Sequence, residues 1–148
     1  MMGTEKIIGK LPYTDPFLFV DELLDINAEG IKGKYTFRSH LPFYQGHFKD
    51  HPVTPGAILT ECCAQIGLVC LGIYLLDGAF ETTGKIALTS SEMEFLRPVF
   101  PDETVWVQSE KVYFRFNKLK CKVKMLNKDE VLVCRGTIAG ILKEVHGK

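Results

Sequence analysis

The sequence lacks the features that mark several large classes of protein. Its 148 residues carry 18 basic and 18 acidic side chains, so no net charge is available for the strongly basic surface of a nucleic-acid-binding protein. The five cysteines are an odd number without a C-x-x-C pair, which indicates neither a disulfide framework nor a zinc site. We interpret them as small buried thiols, which favours a reducing compartment and predicts a cytoplasmic protein.

Long apolar runs are also absent. The first ten residues, MMGTEKIIGK, contain no apolar segment of the kind found in a signal peptide. The longest apolar run, 66–76, has eleven residues and two glycines, which is too short to span a bilayer, so we expect no membrane partner. Neither a repeat nor a linker is visible, and the length predicts one domain over residues 1–148.

The apolar pattern predicts one long helix and several strands. Pro55 and Gly56 open the helix, which we expect to reach about Leu76 and to end at Asp77-Gly78. Because this segment is apolar nearly all round, it must be buried. A polar lead-in at 1–16 precedes the first strand. Strands are predicted at 17–26, 31–38, 85–96, 104–116, 120–126 and 131–142, and their short turns predict an antiparallel meander around the helix.

Two groups that can move protons stand out between Phe43 and Gly67, in FYQGHFKDHPVTPGAILTECCAQIG. His47 lies in a loop, and a neutral imidazole near its ordinary pKa is a good general base. Glu61 lies in the apolar helix, where burial would raise the pKa of its carboxyl. The alternative for Glu61 is a core carboxylate paired with a cation, but no basic residue lies between Pro55 and Leu76.

The neighbours of these two groups allow alternatives. On its own, a loop histidine is more often a surface or hydrogen-bonded residue than a base. The spacing of His40, His47 and His51 matches no compact metal motif, so no metal site is predicted. Gln65, one helical turn after Glu61, could hydrogen-bond that carboxyl or a water, or could lie on a dimer face.

The start of the helix is a candidate for binding a developing negative charge. Backbone N–H groups point outward there, and Gly56 has no side chain to obstruct the approach of an oxygen that gains negative charge. The alternative is a simple turn glycine. Phe48 is predicted to line an apolar binding tunnel, with a core aromatic as the alternative.

Three segments resemble one family. The first is GHFKDHPVTPGAILTECCAQ, which is similar to the signature of the 3-hydroxyacyl-[acyl carrier protein] dehydratases, with its acidic residue fourteen positions after the histidine. The others are residues 11–26, LPYTDPFLFVDELLDI, and residues 95–105, FLRPVFPDETV. One departure is visible, because Lys49-Asp50 stands where that family usually has Pro-Gly.

The resemblance implies an α+β hot-dog fold, in which a curved antiparallel sheet wraps a long central helix. It implies dehydration of a 3-hydroxyacyl thioester on an acyl carrier protein, in fatty acid or related acyl-chain biosynthesis. His47 would be the base and Glu61 the acid, with Gly56, Gln65 and Phe48 binding substrate. No cofactor would be needed. The two catalytic groups would come from different subunits of a homodimer, which is often assembled into a trimer of dimers.

Three other functions stay open at this level. A hot-dog thioesterase would use the same fold to hydrolyse an acyl thioester. A dehydratase could also isomerise the double bond, although Glu61 rather than aspartate favours the plain reaction. A non-catalytic acyl-carrier-binding subunit is the third.

A basic cluster late in the chain permits two interpretations. It is either a solvated strand face or a docking surface that attracts an acidic carrier protein. Its members are Lys111, Arg115, Lys118, Lys120, Lys122 and Lys124.

Overall fold

A computed structural model describes residues 3–47, 50–76 and 84–144. One six-stranded antiparallel sheet has the order β1-β2-β4-β5-β6-β3. Its strands are β1 (Glu22–Asn27), β2 (Gly30–Phe37), β3 (Gly84–Phe95), β4 (Glu103–Arg115), β5 (Lys118–Leu126) and β6 (Leu132–Glu144).

The central helix α2 (Gly56–Leu75) crosses one face of this sheet. It is long and apolar enough to cross a membrane, since an 18-residue window within it has a mean hydropathy of 1.8, but 78% of that window is buried inside the protein. We therefore interpret α2 as the core helix. Glycines bring helix and sheet close together: a methyl group added to Gly67 would lie 2.9 Å from Cγ1 of Val123.

The helix changes form halfway along. Residues Gly56–Ala64 are α-helical, Gln65–Cys70 are π-helical, and Leu71–Leu75 return to α. A wider turn rearranges the backbone hydrogen bonds, and the hydroxyl of Ser109 on β4 donates to the carbonyl of Gly67 at 2.8 Å. Such turns are frequent at functional sites.

Most of the predicted helices and strands are present, although their first and last residues differ from the predicted ones. The predicted hairpin is formed by β1 and β2, and the inward face of β2 carries Ile31, Gly33, Tyr35 and Phe37 as expected. All five cysteines are free and buried. Burial raises the pKa of the Cys121 thiol to about 11, so this thiol stays protonated at neutral pH.

Three expectations were wrong. The lead-in contains helix α1 (Thr4–Gly9), whose Ile7 is fully buried. Only β4, β5 and β6 form a meander, whereas β3 pairs with β6 and forms an edge. Residues 17–21 precede β1 rather than forming part of it, and Gln65 of α2 binds the backbone of Phe17 and Phe19 instead. The predicted end of the helix at Asp77-Gly78 lies outside the described residues.

Candidate active site

Glu61 lies on the first α-helical part of α2, part-buried in a groove of about 410 Å³ beside β3. Four of the groove's seven described lining residues are apolar, and Glu61 is the one ionisable residue among them. Its lining residues are Ala57, Thr60, Glu61, Leu88, Ser91, Met93 and Phe95. Burial raises the pKa of the Glu61 carboxyl, and the hydrogen bond from Gln65 partly opposes that rise. The carboxyl is thus held closer to its neutral form than an exposed glutamate.

Gln65 lies one turn further along α2 and is fully buried. Its Nε2 donates to Oε2 of Glu61 at 2.9 Å, as one of the sequence-based alternatives predicted. The same nitrogen donates to the carbonyl of Phe17 at 2.9 Å, and Oε1 accepts from the backbone N–H of Phe19 at 2.7 Å. The segment before β1 therefore braces the side chain that holds the acid.

Tyr13 is a neighbour of the acid that sequence reasoning missed. Its ring lies 6.1 Å from that of Phe17, between centroids. Burial, followed by the nearby Glu61 carboxylate, raises the pKa of Tyr13 to about 12. The phenol therefore stays neutral at physiological pH. Tyr13 lies in the segment LPYTDPF, where the sequence predicts a turn. Nothing in that segment indicates a contact with a helix almost fifty residues later.

His47 follows a 3₁₀ turn, Pro42–Gln45, and is held at both its backbone and its ring. Its backbone N–H donates to the carbonyl of Phe43 at 3.2 Å. Its Nδ1 lies 2.8 Å from the carbonyl oxygen of Val53. Because a carbonyl can only accept, Nδ1 carries the hydrogen, and in the neutral ring the basic lone pair is on Nε2.

Gly56 is the first residue of α2, as expected. The first backbone bonds of the helix run from Ile58 and Leu59 to the carbonyl of Pro55, so the N–H groups of Gly56 and Ala57 have no partner within the helix. The ring of Phe95 covers this end of the helix, 3.2 Å from where a β-carbon on Gly56 would lie.

The predicted site residues fall into two groups within one chain. Glu61 and Gln65 are joined by a hydrogen bond, whereas His47 is bonded to the loop that leads into α2. His47 is not among the described residues that line the Glu61 groove. Phe48 lies outside the described residues. In the described parts of the chain, no group of three or more histidine, cysteine, aspartate or glutamate residues is arranged to hold a metal ion.

A groove larger than the one beside Glu61 lies on another part of the sheet. It measures about 1150 Å³ and crosses all six strands. Its walls are strand residues that carry charges of both signs, among them Glu92, Lys122 and Arg135. Glu61, His47 and Gly56 do not line it, so we place the candidate site at the smaller groove, where the perturbed acid and the helix start meet.

A buried helix wrapped by an antiparallel sheet, with a part-buried acid near its amino end, is the arrangement of a hot-dog-fold protein. Residues 11–139 match the family model described as FabA-like domain, and the chain belongs to that family.

Curated relatives of similar length carry a common name. A 3-hydroxyacyl-[acyl-carrier-protein] dehydratase FabZ of Gluconobacter oxydans is 32% identical over 93% of this chain and 80% of its own length. The protein of the same name from Thermus thermophilus is 32% identical over 87% of this chain and 89% of its own.

Solved structures share the fold at low sequence identity. A dehydratase heterocomplex of Xenorhabdus doucetiae aligns with a TM-score of 0.77 and 10% identity, covering 97% of this chain and 93% of the other. A thioesterase of Pseudomonas aeruginosa aligns with a TM-score of 0.70 and 9% identity, covering 98% and 96%. Since the fold serves both activities, the family relationship, rather than the fold, indicates a dehydratase.

Proposed function

We propose that this chain is a hydro-lyase that removes water from a 3-hydroxyacyl thioester carried by an acyl carrier protein, giving a trans-2-enoyl thioester. The observation that carries the proposal is Glu61, a part-buried acid with a raised pKa, tethered by Gln65 in a groove near the start of the helix. Membership of the FabA-like family and the shared name of the curated relatives support the same reaction.

His47 acts as the base in this proposal. Its Nδ1–H is bonded to the Val53 carbonyl, so in the neutral ring the basic lone pair is on Nε2, the atom that takes the proton from C2. The electron pair of the broken C–H bond forms the C2–C3 double bond, and the C3–O bond breaks. Glu61 gives its proton to the departing hydroxyl, which leaves as water.

Gly56 supports the charge that develops during this step. Proton removal from C2 moves negative charge onto the thioester oxygen. The N–H groups at the start of α2, together with the helix dipole, can receive this charge. Gln65 contributes by holding Glu61, and Phe48 stays a proposed wall of the acyl site.

A homodimer completes the site. Strand β3 is an edge: among described residues it pairs only with β6, and Leu88, Phe95 and Leu96 are 46–47% exposed there. The Glu61 groove lies beside this edge and lacks His47 of the same chain. A second copy docked along β3 would cover the apolar residues and bring a new wall to the groove. We propose that His47 of the second copy completes that wall, and that such dimers can assemble further into a trimer of dimers.

The β4–β5 hairpin is the proposed surface for the carrier protein. Residues 111–124 contain six basic and no acidic side chains. Arg115 and Lys118 form the last residue pair between β4 and β5, and Phe116 at the tip of the hairpin is 95% exposed. An acidic carrier would be steered to such a surface, with an effect that weakens as salt is added.

The carrier surface can be tested separately from catalysis. Reversing Lys118 and Lys120 to glutamate should weaken binding of an acidic acyl carrier protein and raise KM, with little change in kcat. The control reverses Lys32 and Lys128, which are exposed on other elements. Equal effects from both double variants would remove the hairpin from the proposal.

The proposal requires no organic cofactor and no metal, since acid, base and helix amides supply the chemistry. The five free, buried cysteines support a reducing, cytoplasmic setting.

The deciding experiment incubates the purified chain with a 3-hydroxyacyl carrier-protein substrate and follows the enoyl product by mass spectrometry. Enoyl thioester is the expected product. Release of free thiol without enoyl product would indicate a thioesterase, a 3-enoyl product an isomerising dehydratase, and carrier binding without turnover a scaffold subunit.

A further inference from the structure

The strongest unexplained feature of the site is the way Gln65 is held. All three of its described hydrogen bonds are short, between 2.7 and 2.9 Å, and its side chain is fully buried. Two of the three partners are backbone groups of the segment before β1, more than forty residues away along the chain. A side chain with this many fixed partners has little freedom to turn toward a substrate.

These partners settle which end of the amide faces the acid. The backbone N–H of Phe19 can only donate, so the atom that meets it must be the oxygen of Gln65. The amide nitrogen therefore faces both the Phe17 carbonyl and the Glu61 carboxyl, and both of its hydrogens are used. Gln65 is then a donor to Glu61 and cannot accept a proton from it.

A fixed donor makes the two oxygens of Glu61 unequal. Oε2 receives the hydrogen bond, and in a protonated carboxylic acid the carbonyl oxygen is a much better acceptor than the hydroxyl oxygen. The acidic hydrogen is therefore favoured on Oε1. Because Oε2 is turned toward the buried amide while Glu61 itself lines the groove, Oε1 is the oxygen left to face a substrate.

We propose that Gln65 is a positioning residue that places the acidic proton of Glu61 on Oε1, directed into the groove, and that the segment of Phe17 to Phe19 fixes Gln65 for this purpose. This inference rests on the proposed function for its catalytic meaning. In this inference Gln65 does not contact the substrate. The segment before β1 holds Gln65 and so contributes to the positioning of Glu61. The π-helical turn that begins at Gln65 is the local distortion of α2 at the point where this brace attaches.

The kinetic test compares two replacements of Gln65. Methionine keeps the size but supplies no donor, so kcat should fall by about 10- to 100-fold, the loss typical of a misplaced catalytic group. Because the bond that opposes the raised pKa of Glu61 would be gone, the high-pH limb of the kcat profile should move upward. In Gln65→Glu, a protonated side chain can still donate, so its activity relative to Gln65→Met should rise as pH falls. Gln108→Met, on the outer face of β4, is the control.

Two kinetic outcomes would overturn the inference. One is full activity in Gln65→Met. The other is an equal loss in both variants at every pH, which a purely structural role would produce.

A measurement without turnover separates this inference from the proposed function. Infrared difference spectra between the wild-type protein and Glu61→Gln, recorded below the pKa of Glu61, isolate the carbonyl band of the protonated acid. The inference predicts a band lowered in frequency by one accepted hydrogen bond. If the wild-type protein instead shows the band of a carbonyl without a hydrogen bond, the inference is refuted. This outcome does not depend on whether the chain is a dehydratase or on whether the methionine variant folds.

Discussion

The two edges of the six-stranded sheet are built differently. Strand β1 has six residues and helix α1 packed against it, whereas a register shift occurs in both edge strands. Strand β3 has twelve residues, most of them exposed, and it runs beside the groove that holds Glu61. Short and covered edges resist pairing with another chain, whereas long exposed ones invite it. We infer that β1 closes one side of the sheet. We expect both the partner subunit and the catalytic site on the β3 side.

The largest expected effect comes from the acid beside β3. Replacing Glu61 with glutamine removes the proposed proton donor, so kcat should fall by about 10²- to 10⁴-fold, the usual contribution of a general acid or base. His47→Ala should cause a loss of similar size. The rate of enoyl formation from a carrier-bound substrate measures both effects.

The matched control lies at the other edge. Glu22 begins β1 and forms an exposed 3.4 Å ion pair with Lys34. Glu22→Gln should leave kcat within about twofold of the wild-type value, since exposed pairs contribute little. A loss as large as that of Glu61→Gln would erase the distinction between the edges.

The next effect concerns association. Leu88 on β3 and Leu24 on β1 are both 46% exposed, which makes them a matched pair. Leu88→Lys would place a charge in the proposed interface, and an unpaired buried charge costs roughly 3–5 kcal/mol. Sedimentation velocity should show dissociation of the dimer for Leu88→Lys and an unchanged distribution for Leu24→Lys. The opposite pattern would place the partner on β1.

A smaller effect concerns the pH dependence of stability. Burial raises the pKa of Glu61 above its ordinary value of 4.5, so the folded protein holds this proton more tightly than the unfolded chain does. The resulting stabilisation is complete below the unfolded pKa and is lost as pH rises through the raised folded pKa. Glu61→Gln cannot lose a proton. Its melting temperature relative to the wild type should therefore rise across that window.

The control for the pH effect is again Glu22→Gln. It should change the melting temperature only slightly, because its ion pair with Lys34 is exposed. A difference between the wild type and Glu61→Gln that does not change with pH would mean that the Glu61 carboxyl is not perturbed.

The sequence anticipated the local features of this fold well, because those features depend on nearby residues. Apolar composition located α2 to within about a residue at each end, and alternation located the inward face of β2. Helix α1 was missed because six residues with one buried side chain give little periodicity. The place of β3 at the edge depends on pairing with β6, about 40 to 60 residues further along the chain, and no local pattern records that choice.

The candidate site was anticipated unevenly for the same reason. Glu61 and Gln65 are four residues apart on a helix, so their contact follows from helical geometry. The bonds from Gln65 to Phe17 and Phe19 span more than forty residues and could not be read from spacing. The tautomer of His47 likewise required the position of the Val53 carbonyl.

The central claim is that acid and base meet across the β3 edge, and mixed dimers test it most directly. Co-expression of His47→Ala and Glu61→Gln chains gives heterodimers in which one of two sites regains both intact groups. If chains pair at random in a twofold dimer, activity should return to roughly a quarter of the wild-type value, although each variant alone is nearly inactive. Activity that stays at the level of the separate variants, with heterodimers demonstrably present, would contradict the account.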